Sequence, residues 1–169
     1  LRMSRGLGDV YKRQGDPFAD VTPDYALCRR GTLSSIVADY TPETGSVLWT
    51  AIATPRMSFY MPLYVDIDGL PAFCEAFLPG EGENTSLFWE FKELCILTQR
   101  RFARHMEITG KAKREWEAHA AAVLAAHSRD MAQLPESERR AARTKFDRAV
   151  LTSALETCRE TRHALLLQY

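Results

Sequence analysis

The sequence predicts an α+β fold, a small β-hairpin sheet followed by a long helical region. Between Leu33 and Thr54, runs of β-branched and aromatic residues flank the turn stretch TPETG. From Asn84 onward, apolar residues recur at helical spacing. The chain has 169 residues, 46% of them hydrophobic, enough for one domain with a buried core.

The elements follow in order. Leu1–Gln14, LRMSRGLGDVYKRQ, is basic and has neither helical nor strand period. It resembles the peptide obtained when sequencing-adapter DNA is translated, so it is set apart as a non-native segment that makes no core contacts. On that reading the natural protein continues upstream, and residues 15–169 are the C-terminal part of a single domain. A genuine basic arm is the alternative.

The stretch GDPFADVTPDYA is loop-like, interrupted by Pro17 and Pro23. Leu33–Tyr40 and Val47–Thr54 read as strands joined by Thr41–Gly45, with Pro42 and Gly45 supplying turn chemistry. This loop sets Tyr40 opposite Ser46, Ile36 opposite Thr50 and Thr32 opposite Thr54. One face then carries Ile36, Ala38, Leu48 and Ile52; the other carries Leu33, Val37, Trp49, Ala51 and Ala53. MSFYMPLYV predicts a further short extended piece, limited by Pro62. DGLPAFCEAFLPG predicts one short helix.

The first long helix places Leu87, Phe91, Leu94, Cys95, Thr98, Phe102 and Met106 on one face. Asn84, Thr85 or Ser86 can cap it, and Gly110 is expected to interrupt it. A second helix carries Trp116, Ala120, Val123, His127 and Met131. Pro135 opens a third, with Ala142, Phe146, Ala149, Val150, Ser153 and Cys158 as its stripe. Together the helices span about residues 85–166.

A hairpin apolar on both faces belongs in a sheet covered on both sides. The helices can cover one face. The other calls for a second layer, and this is the physical sign of a fragment.

Composition removes several function classes. Lys+Arg and Asp+Glu are both 22, so net charge draws the chain toward neither nucleic acid nor an anionic membrane. No apolar run reaches membrane-spanning length, and no signal-peptide pattern opens the chain. Cys28, Cys74, Cys95 and Cys158 form no C-x-x-C pair, and His105, His119, His127 and His163 show no metal-ligand spacing. No metal and no cofactor is therefore assigned.

Arg29, Arg30 and Arg56 converge at the open end of the hairpin in this register. There they can grip a substrate carboxylate in bidentate fashion. The plainer account is a solvated or internally paired basic patch. Thr32, Ser34 and Ser35 can line a cleft or bond locally as ordinary strand residues. Cys28 stands before a hairpin with no readable His/Asp partner and is taken as a structural thiol. Trp49, Trp89 and Trp116 are core anchors. Asn84-Thr85-Ser86 fits a glycosylation acceptor and a helix cap alike. RRAARTKFDR has acidic neighbours and reads as a solvated helix face.

One stretch, LCRRGTLSSIVADYTPETGSVLWTAIATPRMSFYMPLYVDIDGLP, resembles the late part of the cysteine dipeptidases of the N-terminal-nucleophile hydrolase superfamily. The residues that carry the resemblance are Thr32, Ser35 and Val37 on one strand, Trp49 on the next, Thr54-Pro55, and the run Ser58 to Tyr64. Phe88, Trp89, Phe91, Leu94 and Trp116 match that family's aromatic helix. The likeness covers roughly Tyr25 to Glu117. Two departures stand out: the loop before Thr32 is short, and Ala53-Thr54 replaces the usual glycine-containing turn. The resemblance implies a partial αββα sandwich and hydrolysis of a linear amide by an N-terminal cysteine. Its nucleophile would lie in a missing N-terminal part of the same chain, so no catalytic residue is assigned here. The substrate would be a small peptide or linear amide, bound by Arg29, Arg30, Thr32, Ser34 and Arg56. Neither nucleic acid nor membrane is a partner. The alternatives are a related acyltransferase or bile-salt-hydrolase-like enzyme, and a self-sufficient helical interaction module.

Overall fold

A computed structural model describes residues 32–41, 45–74 and 86–168. Its sheet has three antiparallel strands in chain order: β1 (Ser34–Thr41), β2 (Gly45–Ile52) and β3 (Tyr60–Tyr64). A 3-10 turn spans Ala72–Cys74, and three helices follow: α1 (Leu87–Arg100), α2 (Phe102–Gln133) and α3 (Glu136–Leu166). The α+β class and the mostly helical second half are as the sequence predicts. The segments 1–14 and 75–85, with their expected adapter and short-helix ends, lie outside the described residues.

The hairpin register is also the predicted one: Tyr40 faces Ser46 and Ile36 faces Thr50. Bonded and non-bonded pairs alternate along an antiparallel ladder, so two bonds fix the parity of every residue. The Ala53 N–H donates to the Leu33 carbonyl at 2.7 Å, and the Val65 N–H to the Ser46 carbonyl at 3.4 Å. Hence Ser35, Val37 and Asp39 bond to β2, while Ser34, Ile36, Ala38 and Tyr40 turn their backbone groups outward. On β3 the outward residues are Tyr60, Pro62 and Tyr64.

The two edges of the sheet differ. The Tyr60 N–H donates to Glu117 Oε1 of α2 at 2.8 Å. The Tyr64 N–H donates to both carboxylate oxygens of Asp147 on α3 at 3.1 Å. Pro62 has no N–H to satisfy. The helices thus bond the sheet's backbone at the outer edge of β3, and among the described elements the backbone of β1 lies beside β2 alone.

This placement changes the expected covering. On β2 and β3, Val47, Ala51, Met61 and Tyr64 are buried, and Leu48, Ile52 and Leu63 are half-buried, so both faces are partly covered. The bare surface is one strand: Leu33 is 58% exposed, Ile36 57%, Val37 55% and Tyr40 73%. The expectation of one covered and one bare face is therefore corrected to a covered inner pair of strands and a bare edge.

Phe59, just before β3, anchors the core. It stacks on Trp116 at 5.6 Å and meets Phe91 edge-on at 5.3 Å. Leu94, Cys95, Val150, Leu151, Ala154 and Cys158 close around this centre from α1 and α3. Glu90 of α1 is buried and paired to Arg159, at 2.7 Å, and to Arg162. The core-anchor reading holds for Trp116, whereas Trp89 is exposed.

Gly110 does not interrupt a helix: it is buried within α2. The break falls at Arg101, with φ −137° and ψ 60°. The Thr98 and Thr109 hydroxyls bond at 2.8 Å across it, and the His105 ring bonds the Leu97 carbonyl at 2.7 Å. Pro135 is the N-cap of α3, and Ser86 holds the N-cap position of α1 without a side-chain cap bond. In the basic stretch of α3, Arg139 pairs with Glu136 and Arg140 with Asp68 on a solvated side, but the expected solvated face is corrected for Arg143, which pairs with Asp66, and for Thr144, Phe146 and Asp147, all of which are buried.

Ala53 adopts a left-handed φ of +63°. That conformation costs an alanine about 1–2 kcal/mol. Ala53→Gly relieves that strain but loses a buried methyl, about 0.8 kcal/mol, and adds chain entropy of about 0.5–1 kcal/mol. The effects nearly cancel. Ala51→Gly, equally buried in a regular strand, has only the two costs. Urea denaturation should show Ala51→Gly losing about 1.5 kcal/mol and Ala53→Gly changing by less than about 0.5 kcal/mol.

Asp147 is 1% exposed, and burial pushes its carboxyl up to about 7, against the opposing effect of the Tyr64 N–H. Between the ordinary carboxylate range and pH 7, the folded chain holds a proton that the unfolded chain has released. Stability from this group therefore falls as pH rises through that window, by on the order of 1.4 kcal/mol per pH unit at most. His127, held below its ordinary value chiefly by burial, slopes the other way, so the comparison must be with a variant. Asp147→Asn should become more stable relative to the parent between pH 5 and pH 7.5 in urea titrations. A pH-independent difference would contradict this.

Candidate functional site

The open end of the hairpin and the turn 53–58 that leads into β3 form the region to which the sequence directs attention. Thr32 is half-buried and Ser34 exposed there. Arg56 lies on the turn at the same end, but its guanidinium sits 5.0 Å above the Phe102 ring of α2. Thr32, Ser34 and Arg56 are thus brought to one end of the sheet, with Arg56 directed onto the helical layer. Arg29, Arg30 and Cys28 lie outside the described residues.

A second group, absent from the sequence reading, organises the turn. Lys113 of α2 is largely buried, and its ammonium donates to the carbonyls of Pro55 and Ser58 and to Glu117 Oε1, the last at 2.6 Å. It also lies 4.8 Å from the centre of the Tyr60 ring. Its donors are therefore spent on two backbone carbonyls and one carboxylate. Glu117 Oε1 in turn receives both Lys113 and the Tyr60 N–H. One i,i+4 ion pair on α2 fixes the turn and the start of β3 together. The spacing of Lys113 and Glu117 is legible in the sequence as a helix-face pair. Nothing in the sequence shows which strand it faces.

The Tyr60 hydroxyl donates to Ser35 Oγ at 2.9 Å, across the sheet from β3 to β1. Val37, Trp49, Tyr60 and Glu117 surround an open concavity of about 290 Å³. A wider groove of about 750 Å³ runs between α2 and α3, past Lys111, Trp116, His119, Ser153 and Glu160. The Thr54 and Ser58 hydroxyls are buried with no hydrogen-bond partner among the described residues. Ser35, which the sequence leaves as either a cleft residue or an ordinary strand residue, accepts this bond from Tyr60.

This arrangement positions backbone, and the thiols with shifted acidity among the described residues are raised rather than lowered. Burial pushes the Cys74 thiol up to about 11. Burial likewise raises Cys158, with Arg162 opposing and Glu90 reinforcing it. A raised thiol is a poor source of thiolate. His127 Nδ1 lies 3.2 Å from the Tyr64 hydroxyl, and burial holds both groups toward their neutral forms. Among the described residues no group of His, Cys, Asp or Glu has the arrangement of a metal site, and no helix is long and apolar enough to cross a membrane.

No family model matches the chain, and no curated protein matches it.

The thiol environments can be read out directly. After brief iodoacetamide treatment at pH 8 and peptide mapping, Cys95 and Cys158 should stay unlabelled in the folded chain, and Cys74 should label far more slowly than a free thiol. Rapid labelling of Cys158 would show that the helical core opens.

Proposed function

We propose that this chain is the C-terminal portion of a cysteine-nucleophile dipeptidase, or of a closely related linear-amide hydrolase, and that it is inactive by itself. The observation that carries the reading is β1, a strand with exposed apolar residues on both faces and outward backbone groups that pair with no described residue. A sheet with such an edge is suited to continuation by more strands and to burial between layers. The family resembled by Thr32, Ser35, Val37, Trp49 and the run Ser58 to Tyr64 would supply both in an αββα sandwich. The raised thiols of Cys74 and Cys158 agree with a nucleophile located elsewhere.

In this reading the attacking group is a cysteine at the mature N-terminus of the whole enzyme. Its free α-amino group accepts the thiol proton, the thiolate attacks the amide carbonyl, and water then releases the acyl group. Backbone N–H donors hold the oxyanion. The contribution of this chain is positional: Thr32 and Ser34 border the cleft, and Arg29, Arg30 and Arg56 receive the carboxylate of a small peptide. Arg56 would leave the Phe102 ring to do so.

A second reading, a helical interaction module, is favoured by the long groove between α2 and α3, which suits a partner helix. The two are separated by one experiment. The polypeptide preceding Gly15 is recovered from the source genome, and the chain is expressed with and without it and assayed for dipeptide hydrolysis. Hydrolysis is expected only from the longer protein. Arg56→Met should then raise KM about tenfold, through loss of a charge-assisted bond. Absence of hydrolysis from the longer protein would reject the enzyme reading.

A further inference from the structure

The two edges of the sheet have opposite chemistry. Every outward N–H position of β3 is closed, by Glu117 at Tyr60, by the missing donor of Pro62 and by Asp147 at Tyr64. The outward N–H and C=O groups of Ser34, Ile36, Ala38 and Tyr40 on β1 have no partner among the described residues. Sheet edges are ordinarily protected by lysine, proline, a bulge or a covering helix. β1, SSIVADYT, has no lysine or proline, pairs with β2 without a bulge and, among the described elements, has no helix packed along its backbone.

The strand is complementary to itself. When β1 lies antiparallel to a copy of itself with Val37 opposite Val37, Ile36 falls opposite Ala38 and Ser34 opposite Tyr40. These are the outward residues, so both sets form the doubly bonded pairs of the new ladder. A large residue meets a small one at each: Ile36 with Ala38, Tyr40 with Ser34. The only charge on the strand, Asp39, falls opposite the Ser35 hydroxyl. Sliding the copies toward Asp39 leaves ends of the strand unpaired and finally sets carboxylate against carboxylate, which is unfavourable. The chain has zero formal net charge, so long-range repulsion does not oppose approach.

We propose that the 169-residue chain forms a two-fold dimer in which β1 pairs antiparallel with β1 of a second copy, centred on Val37, so that the two sheets become continuous. In the amidohydrolase reading the same edge belongs to the rest of that enzyme. The dimer is a property of the chain by itself and does not rest on that reading.

The test uses the full chain with Cys28→Ser and Cys74→Ser, which leaves only the buried thiols of Cys95 and Cys158. Sedimentation at rising concentration should show a monomer passing to a dimer and no further. Val37→Cys places a cysteine on the two-fold axis, opposite its own copy at about 4.5 Å between Cα atoms, within disulfide range. Mild oxidation should cross-link it roughly tenfold faster than Ala38→Cys, which faces Ile36. Ala38→Pro removes an outward N–H and leaves the bonds to β2 intact, so it should remain folded by circular dichroism and become monomeric. A monomer throughout the concentration range, equal cross-linking at positions 37 and 38, or open-ended polymers would each overturn the proposal.

Discussion

Two helix carboxylates determine how this molecule is assembled. Glu117 and Asp147 accept the backbone N–H groups on the outer edge of β3, so the sheet joins the helices by its edge. A carboxylate accepting an amide is a charge-assisted bond, stronger than the amide–carbonyl bond it replaces. It also closes the edge chemically, because no other strand can then use those donors. Pro62 completes the closure between them. Lys113 adds a counter-charge to Glu117 and binds the turn before β3, so one side of α2 fixes both the entry and the direction of that strand.

The two carboxylates are not equivalent. Glu117 is ion-paired and half-buried, whereas Asp147 is buried against a single backbone donor, with the nearby guanidinium of Arg143 committed to Asp66. Removing a carboxylate from water without a counter-ion raises the energy of its charged form. The attachment at Tyr64 is therefore of a different kind from that at Tyr60, one sensitive to protonation and the other held by an internal salt bridge. The Glu90 cluster with Arg159 and Arg162 performs the corresponding task between α1 and α3, where the core is otherwise apolar.

Much of the fold was legible because it is local. The hairpin register follows from a short loop and an apolar pattern of period two, and it is correct to the residue. The helical region, with Phe91 and Trp116 on its apolar faces, follows from helical periodicity, whereas Phe59, which stands outside any helix, joins them only through the tertiary fold. The helix break was misplaced because Gly110 is the conspicuous breaker in the sequence, whereas the real break at Arg101 is held by a tertiary clasp between Thr98 and Thr109. The covering of the sheet was misread for a similar reason. Apolar pattern shows which faces avoid water, but edge-on attachment depends on where Glu117 and Asp147 land in space. At the candidate site, Thr32, Ser34 and Arg56 were placed at one end by register alone, while Lys113 and Tyr60 became visible only through contacts distant in sequence.

The hairpin projects from the helices as an arm fastened at its base. β3 is anchored by side chains from two helices, β2 by β3 and by its packing against α1, and β1 by its ladder to β2 and the single Tyr60–Ser35 bond. Resistance to opening should decline in the same order, since each strand can be released without disturbing those nearer the bundle. The outermost strand is therefore a separate unit of motion. It can peel away and return at the cost of one ladder and the Tyr60–Ser35 bond while the aromatic core stays intact, which gives the surface best suited to recruiting another strand the lowest barrier to rearranging when one arrives.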